Sequence, residues 1–423
     1  MLTNLEKDIR SNLKHNLTAN LTDGGLFGAA LGFASFSTIL PLFVATMTDS
    51  ALLIGLVPAI HSAGWLFPQL FTASHVSRLR QYKPTVLVMT IHERIPFFGL
   101  ALVALFLPRI GLTVGLILSF ILLTWQGLGG GFTANAWTSM ISKIIPPDSR
   151  GTFFGVQASL ANLFLSGSAV AAGYILDILA SPFDFAVCFI LASLFFTFSW
   201  LALAYTREPE DTEKVIPEKK THFWEDSKKI MGKDPNFNWF LGVRFLSQFA
   251  TMGFAFYIIY ALRQFNMDTV TAGYLTATLT ISQTVANAGM GWLGDKIGHR
   301  SMLILGGVAA LLSAVLAWNA ASIAWFYPIF ILTGLANVSL WTISMAMTVG
   351  FGTEAERPIY IGLSQTLTAP ATIFAPIIGG FIVDAAGFIP TFSISAVLSV
   401  VMIGILMFLV KDPRKQLTAD SGR

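Results

Sequence analysis

The chain has 423 residues, of which 54% are hydrophobic and only 12% charged. A water-soluble protein of that composition would expose far too much apolar surface, so a soluble enzyme is excluded. The formal net charge of +3 is small and its basic residues suit an anionic membrane face, which leaves a nucleic-acid partner without support.

Twelve apolar stretches follow one another along the chain, at 24–47, 51–73, 84–107, 110–142, 151–178, 184–205, 237–263, 269–293, 301–319, 323–351, 358–383 and 388–410. Each reaches the roughly 20 residues that carry a helix across hydrocarbon. The first 23 residues are polar and show no signal-peptide cleavage pattern, so the first span is expected to be retained. The single cysteine, Cys188, lies inside the sixth span, where packing is the simplest role. With the N-terminus inside, 22 of the 26 Lys and Arg fall in the inner loops, the central linker or the tail. Arg109 and Arg263 fall outside, and Arg94 and Arg244 fall within spans. The positive-inside rule then places both termini in the cytoplasm, in a plasma or inner membrane, with a monomer as the expected state.

An internal repeat narrows the fold. At an offset of 207 residues and without gaps, Gly127-Leu128 aligns with Gly334-Leu335, Arg150 with Arg357, Gly155 with Gly362, Gly173 with Gly380 and Asp177 with Asp384. A weaker match at an offset of 218 places Gly55 on Gly273. The predicted fold is an all-α membrane protein of twelve transmembrane helices in two six-helix pseudo-symmetric halves. Residues 1–205 form the N-terminal bundle, 206–236 a linker and 237–423 the C-terminal bundle and tail. In the linker, Phe223, Trp224, Ile230 and Met231 alternate with Glu225, Asp226, Lys228 and Lys229, the pattern of a short amphipathic helix at the membrane surface. A tether that anchors the second half at the interface is the expected role, with regulatory docking as its rival.

The loop after the eighth span reads Gly291-Trp292-Leu293-Gly294-Asp295-Lys296-Ile297-Gly298-His299-Arg300. It resembles the signature loop of the major facilitator superfamily, Gly-x-x-x-Asp-(Arg/Lys)-x-Gly-x-(Arg/Lys). Together with the two-times-six layout, the resemblance covers essentially the whole chain at the level of the fold. It implies that Asp295, Lys296 and Arg300 latch the cytoplasmic gate, with Gly291 and Gly298 allowing the turn. The corresponding loop of the first half carries Ala73, Ser77, Arg78 and Arg80 and lacks the acid and both glycines, so a latch there is weaker or built otherwise. The family's drug-exporting antiporters carry a Gly-Pro-x-x-Gly-Gly element in the fifth span. Here the span reads Gly167-Ser168-Ala169-Val170-Ala171-Ala172-Gly173, without proline, which weakens that assignment. Span 11 instead holds Pro370 and Ala375-Pro376-Ile377-Ile378-Gly379-Gly380, which favours a kinked helix.

An ionisable group inside hydrocarbon is costly and therefore a functional candidate. His61, Glu93, Arg94 and Arg244 stand out, with His92 preceding the central pair. Glu93 and Arg94 are neighbours on a helix and point in different directions, so each needs a separate partner. Glu93 is expected either in structural ion pairing or, with His61, as a proton-coupling group. No other acid within the spans compares, because Asp177 and Asp384 fall at outer helix ends. Arg244 lies on span 7, which the resemblance places beside spans 1, 4 and 10 around a central cavity; a guanidinium there suits a carboxylate or phosphate, and snorkelling to the inner face is its rival role.

Aromatic and amide residues on the same spans complete the candidate solute site. They are Trp125, Gln126, Asn135 and Trp137 on span 4, Gln248 and Tyr257 on span 7, and Asn337 and Trp341 on span 10. Gln283 and Asn287 on span 8 share a face. The tract Gly127-Leu128-Gly129-Gly130-Gly131 lacks the Lys-Ser or Lys-Thr of a phosphate loop and reads as close helix contact. There is no zinc-ligand pattern and no hydrolytic constellation, and no cofactor is implied. The expected protein is a secondary or facilitative transporter of a small organic solute, with protons and the lipid bilayer as its other partners. An amphiphile exporter is the first alternative, and a non-transporting sensor with the same fold the second.

Overall fold

The computed structural model describes residues 4–76, 78–146, 149–210, 223–352 and 356–413. Among these, every regular element is helical. Hydrocarbon cannot hydrogen-bond a bare backbone, so a chain this apolar satisfies its N–H and C=O groups within helices. In order the helices are α1 (Asn4–Phe33), α2 (Ile39–Ala45), α3 (Ala51–Val76), α4 (Lys83–Ile110), α5 (Leu112–Ile144), α6 (Arg150–Ile178), α7 (Phe183–Ala204) and α8 (Phe223–Lys233). There follow α9 (Pro235–Ala250), α10 (Tyr257–Phe265), α11 (Thr269–Ile297), α12 (His299–Trp318), α13 (Phe326–Val338), α14 (Ser344–Val349), α15 (Arg357–Ala386) and α16 (Phe388–Phe408). They make the twelve crossings of an all-α membrane fold, and among the described residues ten of these are long and apolar enough to span on length and composition alone. The other two, α1–α2 and α11, carry more polar residues.

The first span corrects the sequence boundary. Its helix begins at Asn4, well before position 24. Asn16, Asn20 and Asp23, in the segment that hydropathy assigns to water, are buried. Hydropathy averages cannot tell a polar residue satisfied inside a bundle from one in solvent.

Three spans are interrupted. α1 and α2 are separated by residues 34–38, and α9 and α10 by a 3-10 turn at Met252–Phe256. The helices that resume, at Ile39 and Tyr257, start 218 positions apart, as do α3 at Ala51 and α11 at Thr269. α6 and α15 start 207 positions apart, at Arg150 and Arg357. Both repeat offsets read from the sequence are therefore offsets of helix starts. The third interruption is a π segment, Ser339–Ile343, between α13 and α14.

The chain groups into two compact units. Unit 1 comprises Met1–Asp49, Ile60–Lys219 and Asp268–Ala277; unit 2 comprises Ser50–Ala59, Lys220–Met267 and Thr278–Arg423. In unit 1 the first turn of α11 lies against α6, where a methyl added at Gly173 would stand 2.7 Å from the Thr269 carbonyl oxygen. In unit 2 the first turn of α3 lies against α15, where a methyl at Gly380 would stand 2.7 Å from Leu52 Cα. Only glycine permits such approach, which explains why this pair stands out in the repeat.

The end of each unit's last long helix is clamped in the same way. In unit 1, Asn16 on α1 exchanges two hydrogen bonds with the Arg207 backbone, and the Glu208 carboxylate accepts the Tyr82 and Lys83 amides that open α4. In unit 2, Asn236 on α9 exchanges two bonds with the Lys411 backbone, and Asp412 accepts the Arg300 amide in the first turn of α12. A base, an acid and a proline stand at both places, Arg207-Glu208-Pro209 and Lys411-Asp412-Pro413. An acid at a helix start satisfies free amides and meets the positive end of the helix dipole.

Of the linker, residues 211–222 and the side chains of Phe223, Trp224 and Asp226 lie outside the described set. The short helix expected there is α8; Ile230 is buried in the unit 2 core beside Phe237 and Phe240, and Lys233 pairs with Glu356 at 3.2 Å.

Candidate functional site

In unit 1, the polar residues of the spans meet in two groups. Arg94 on α4 is 7% exposed and donates through Nη2 to Asp23 on α1 at 3.3 Å and to Ser199 on α7 at 2.9 Å. Ser199 in turn donates to the same Asp23 oxygen at 2.5 Å, and the guanidinium carbon stands 5.6 Å from the Phe27 ring centre. This closed triad ties three helices together. The expectation that no other acid in the spans compares with Glu93 is corrected here: Asp23 is 5% exposed and is Arg94's counter-charge.

Glu93 is left without that partner. It is 5% exposed and makes no hydrogen bond or ion pair among the described residues. Its carboxylate lies in a crevice over the α5 glycines: a methyl at Gly130 would meet Glu93 Oε1 at 3.0 Å and Trp65 Cε3 on α3 at 3.1 Å. At Gly129 a methyl would stand 2.5 Å from the Glu93 amide nitrogen, and at Gly127 it would stand 3.1 Å from the Ile60 carbonyl oxygen. The glycine tract therefore presses α5 against α4 on one face and α3 on the other, as the sequence leads one to expect.

The second group is His61 on α3, whose Nδ1 lies 3.1 Å from Gln126 Oε1 on α5. The imidazole stacks on Phe36 with ring centres 3.9 Å apart. Phe36 lies in the break between α1 and α2, so the interruption delivers an aromatic ring to this histidine. Asn135 bridges helices instead, donating to the Gln69 carbonyl at 2.7 Å and to Thr72 at 2.9 Å. Trp137 packs edge-on to Phe154. Trp125 is displaced from the group: it is 38% exposed, shares the outer α5 stripe with Ile121 and Phe132, and its indole N–H donates to His92 at 3.2 Å.

In unit 2 the polar residues form a seam between α9 and α15. Arg244, Ser247 and Gln248 follow at helical spacing on α9, and Ser364, Thr368 and Thr372 on α15. Arg244 Nη1 donates to Ser364 Oγ at 2.6 Å, and Thr372 Oγ1 donates to Gln248 Oε1 at 3.2 Å. Ser247 donates to the Arg244 carbonyl at 2.7 Å and accepts from Gln248 Nε2 at 3.2 Å. Arg244 itself is 2% exposed, with Nε buried and unbonded. No carboxylate pairs with it among the described residues. Tyr257, where the helix resumes after the 3-10 turn, is fully buried and its hydroxyl lies 3.3 Å from Ser313 Oγ.

Asn337 is half-buried one turn before Trp341, which is 48% exposed and sits inside the π segment. Gln283 and Asn287 do share a face of α11, joined by the Asn287 side chain donating to the Gln283 carbonyl at 2.9 Å. In the loop before α12, Gly298 adopts φ 104°, a conformation glycine alone takes readily. Arg300 donates through Nε to the Leu406 carbonyl at 2.8 Å and through Nη2 to that of Met407, closing the last turn of α16. Lys296 lies 3.7 Å from the Trp292 ring centre. Gly291 stands in the last turns of α11, and the Asp295 side chain, with Ser77 of the first-half loop, lies outside the described residues.

The residues that the sequence does not single out are Asp23, Ser199, Ser364 and Thr372. Asp23 stood one position before the expected first span. Buried Ser and Thr carry no distinguishing hydropathy.

With this geometry in view, comparison with known proteins is informative. The family model of the Major Facilitator Superfamily matches residues 92–262 and 241–423. The chain is 27% identical over 153 residues to an MFS-type transporter, ppzB, of Metarhizium majus (strain ARSEF 297), a match covering 36% of this chain and 33% of that protein. It is 29% identical over 127 residues to multidrug resistance protein 2 of Bacillus subtilis (strain 168), covering 30% and 32%. The matches thus span about a third of the length of these curated relatives. Among solved structures, a mutant of the nucleoside transporter NupG superimposes with a TM-score of 0.72 at 14% identity, over 94% of this chain and 100% of that one. A D-xylose-proton symporter gives 0.72 at 15% identity over 94% and 98%, and a POT family transporter in complex with 5-aminolevulinic acid gives 0.70 at 12% over 93% and 95%. At such identities the likeness is one of fold.

Proposed function

We propose, from the premise that this chain belongs to the Major Facilitator Superfamily of membrane transporters, that it carries a small organic solute by alternating access, coupled to protons through Glu93. The carrying observation is the matched interruption of spans 1 and 7, with helices resuming at Ile39 and Tyr257, joined by the π segment in span 10. Interrupted spans free backbone groups at membrane depth, which is tolerated where they are enclosed by protein or line a cavity, and give each helix two segments that can move separately. The first break presents Phe36 to His61 and Gln126, an aromatic and polar surface suited to an organic solute.

Coupling is assigned to Glu93 because Arg94's charge is already balanced by Asp23. A buried carboxylate that makes no ion pair among the described residues can gain and lose a proton without breaking a structural contact, and intramembrane acids of this kind serve proton relays. That a structural neighbour is a D-xylose-proton symporter supports proton coupling on this fold. The test is uptake into liposomes holding the purified protein, with and without an imposed pH gradient. Wild-type protein should accumulate solute only with the gradient and lose accumulation with a protonophore, whereas Glu93→Gln should keep solute exchange and lose accumulation. Gradient-driven accumulation by Glu93→Gln would move coupling to another group.

A second reading, export of amphiphilic compounds, is favoured by the partial likeness to multidrug resistance protein 2. Proton-driven clearance of a lipophilic cation from the same liposomes would bring it first. Ligand-induced stabilisation without flux of any solute would instead mark a sensor.

A further inference from the structure

Resting on the transport reading, we infer that Arg244 and Ser364 form the binding site for a carboxylate or phosphate group on the transported solute. Removing a guanidinium from water costs several kcal/mol unless a counter-charge or a full set of hydrogen bonds replaces the lost hydration. Among the described residues Arg244 has neither. Its one hydrogen-bond partner there is the neutral hydroxyl of Ser364, its Nε is buried and unbonded, and no described acid pairs with it.

The described surroundings hold only neutral groups. Across the seam stand Thr368, whose hydroxyl donates to the Ser364 carbonyl of its own helix, and Thr372, whose one hydroxyl proton is shared between the Thr368 carbonyl and Gln248 Oε1. Along α9 stand Ser247, donating to the Arg244 carbonyl, and the Gln248 amide. Beyond them the packing is apolar, with Phe240, Val243 and Leu363 in the unit 2 core. The result is one positive charge among neutral hydrogen-bonding groups within an apolar wall. The chemistry that fits is a planar or tetrahedral oxyanion, which takes up the free guanidinium donors and the Ser364 hydroxyl together. Snorkelling does not describe this side chain, because it is 2% exposed and its bonded nitrogen points at α15. The polar seam continues to Thr372 and Gln248, so a solute anchored at Arg244 has further donors and acceptors along its length.

The experiment is thermal unfolding of the full-length, detergent-purified protein with inorganic phosphate, succinate or benzoate, each at matched ionic strength against succinamide or benzamide. At least one anion should raise the unfolding midpoint where its amide does not. Arg244→Gln should weaken that anion's effect at least tenfold. Should Arg244→Gln fail to fold, Arg244→Lys and Ser364→Ala serve, since both keep a seam of similar volume and should show intermediate weakening. Equal effects of acid and amide, an anion effect that survives Arg244→Gln, or no response to any anion would each overturn the inference. Repeating the series with added phosphatidylglycerol separates sources: an Arg244-dependent effect of that lipid without any soluble anion effect identifies a headgroup and overturns the solute assignment. Counterflow in liposomes separates this from the underlying reading. Flux of a neutral solute that persists in Arg244→Gln would leave transport intact and remove the anion site, whereas Arg244-dependent stabilisation without any flux would do the reverse.

Discussion

Arg94 and Arg244 are both buried arginines on membrane helices, and their surroundings differ in kind. Arg94 sits in a closed triad with Asp23 and Ser199, each member bonded to the other two. Among the described residues, Arg244 holds a single neutral partner, Ser364. The first is an internally balanced charge that fastens α1, α4 and α7; the second has no charged partner among the described residues. Burial alone therefore does not separate structural from functional ionisable residues. Counting the charges that surround each one does.

The largest break in this comparison comes from removing Arg94's counter-charge. Asp23→Ala should destabilise the protein by about 3–5 kcal/mol, because it strands a buried cation. The unfolding midpoint of the purified variant measures it. Asp23→Leu combined with Arg94→Met should recover much of that loss, since apolar replacement of both members of a buried pair is often neutral. A double-variant loss equal to the sum of the two single-variant losses would mean that the pair is not energetically coupled.

A smaller effect is expected at the helix-start clamps. Glu208 accepts two α4 amides and the Lys143 ammonium at 3.0 Å, whereas the bond from the Arg300 amide to Asp412 is long, at 3.3 Å. Glu208→Ala should cost about 2 kcal/mol, within the range of helix-cap and charged hydrogen-bond losses. An unfolding midpoint that does not move in this variant would sink the assignment.

The smallest change in stability is expected where the charge is unbalanced. Arg244→Met should leave the midpoint of the solute-free protein unchanged to within about 1 kcal/mol, because the lost Ser364 bond is offset by the lost desolvation cost. A fall as large as that of Asp23→Ala would show that Arg244 is a structural cation after all. The three sets together rank balanced against unbalanced charges on one scale.

Much of the fold was legible in advance because the bilayer acts on residues one stretch at a time. The spans from the second to the sixth and the ninth to the twelfth appear as helices close to their expected limits. Gly173 and Gly380, matched in the repeat, both lie where α6 and α15 pack against a neighbouring helix too closely for a side chain. The glycine tract of α5 likewise proved to be a packing surface. For the candidate site, the sequence names residues but not which of them meet: Arg244 and Gln248 stand in one seam and His61 meets Gln126, while Asn135 bonds to Gln69 and Thr72 and Trp125 to His92.

The sequence by itself determined that this is a multi-pass helical protein with a duplicated plan, since hydropathy and repeat offsets are properties of the chain read along its length. Tertiary structure alone decided which charges are balanced. Asp23 and Arg94 are 71 positions apart and meet because α1 and α4 both pack against α7, while Glu93, adjacent to Arg94 in sequence, turns toward the α5 glycines and makes no hydrogen bond or ion pair among the described residues. An ion pair depends on a distance of about 4 Å between side chains. Hydrophobic periodicity says which face of a helix turns inward, but not which neighbour it will meet there.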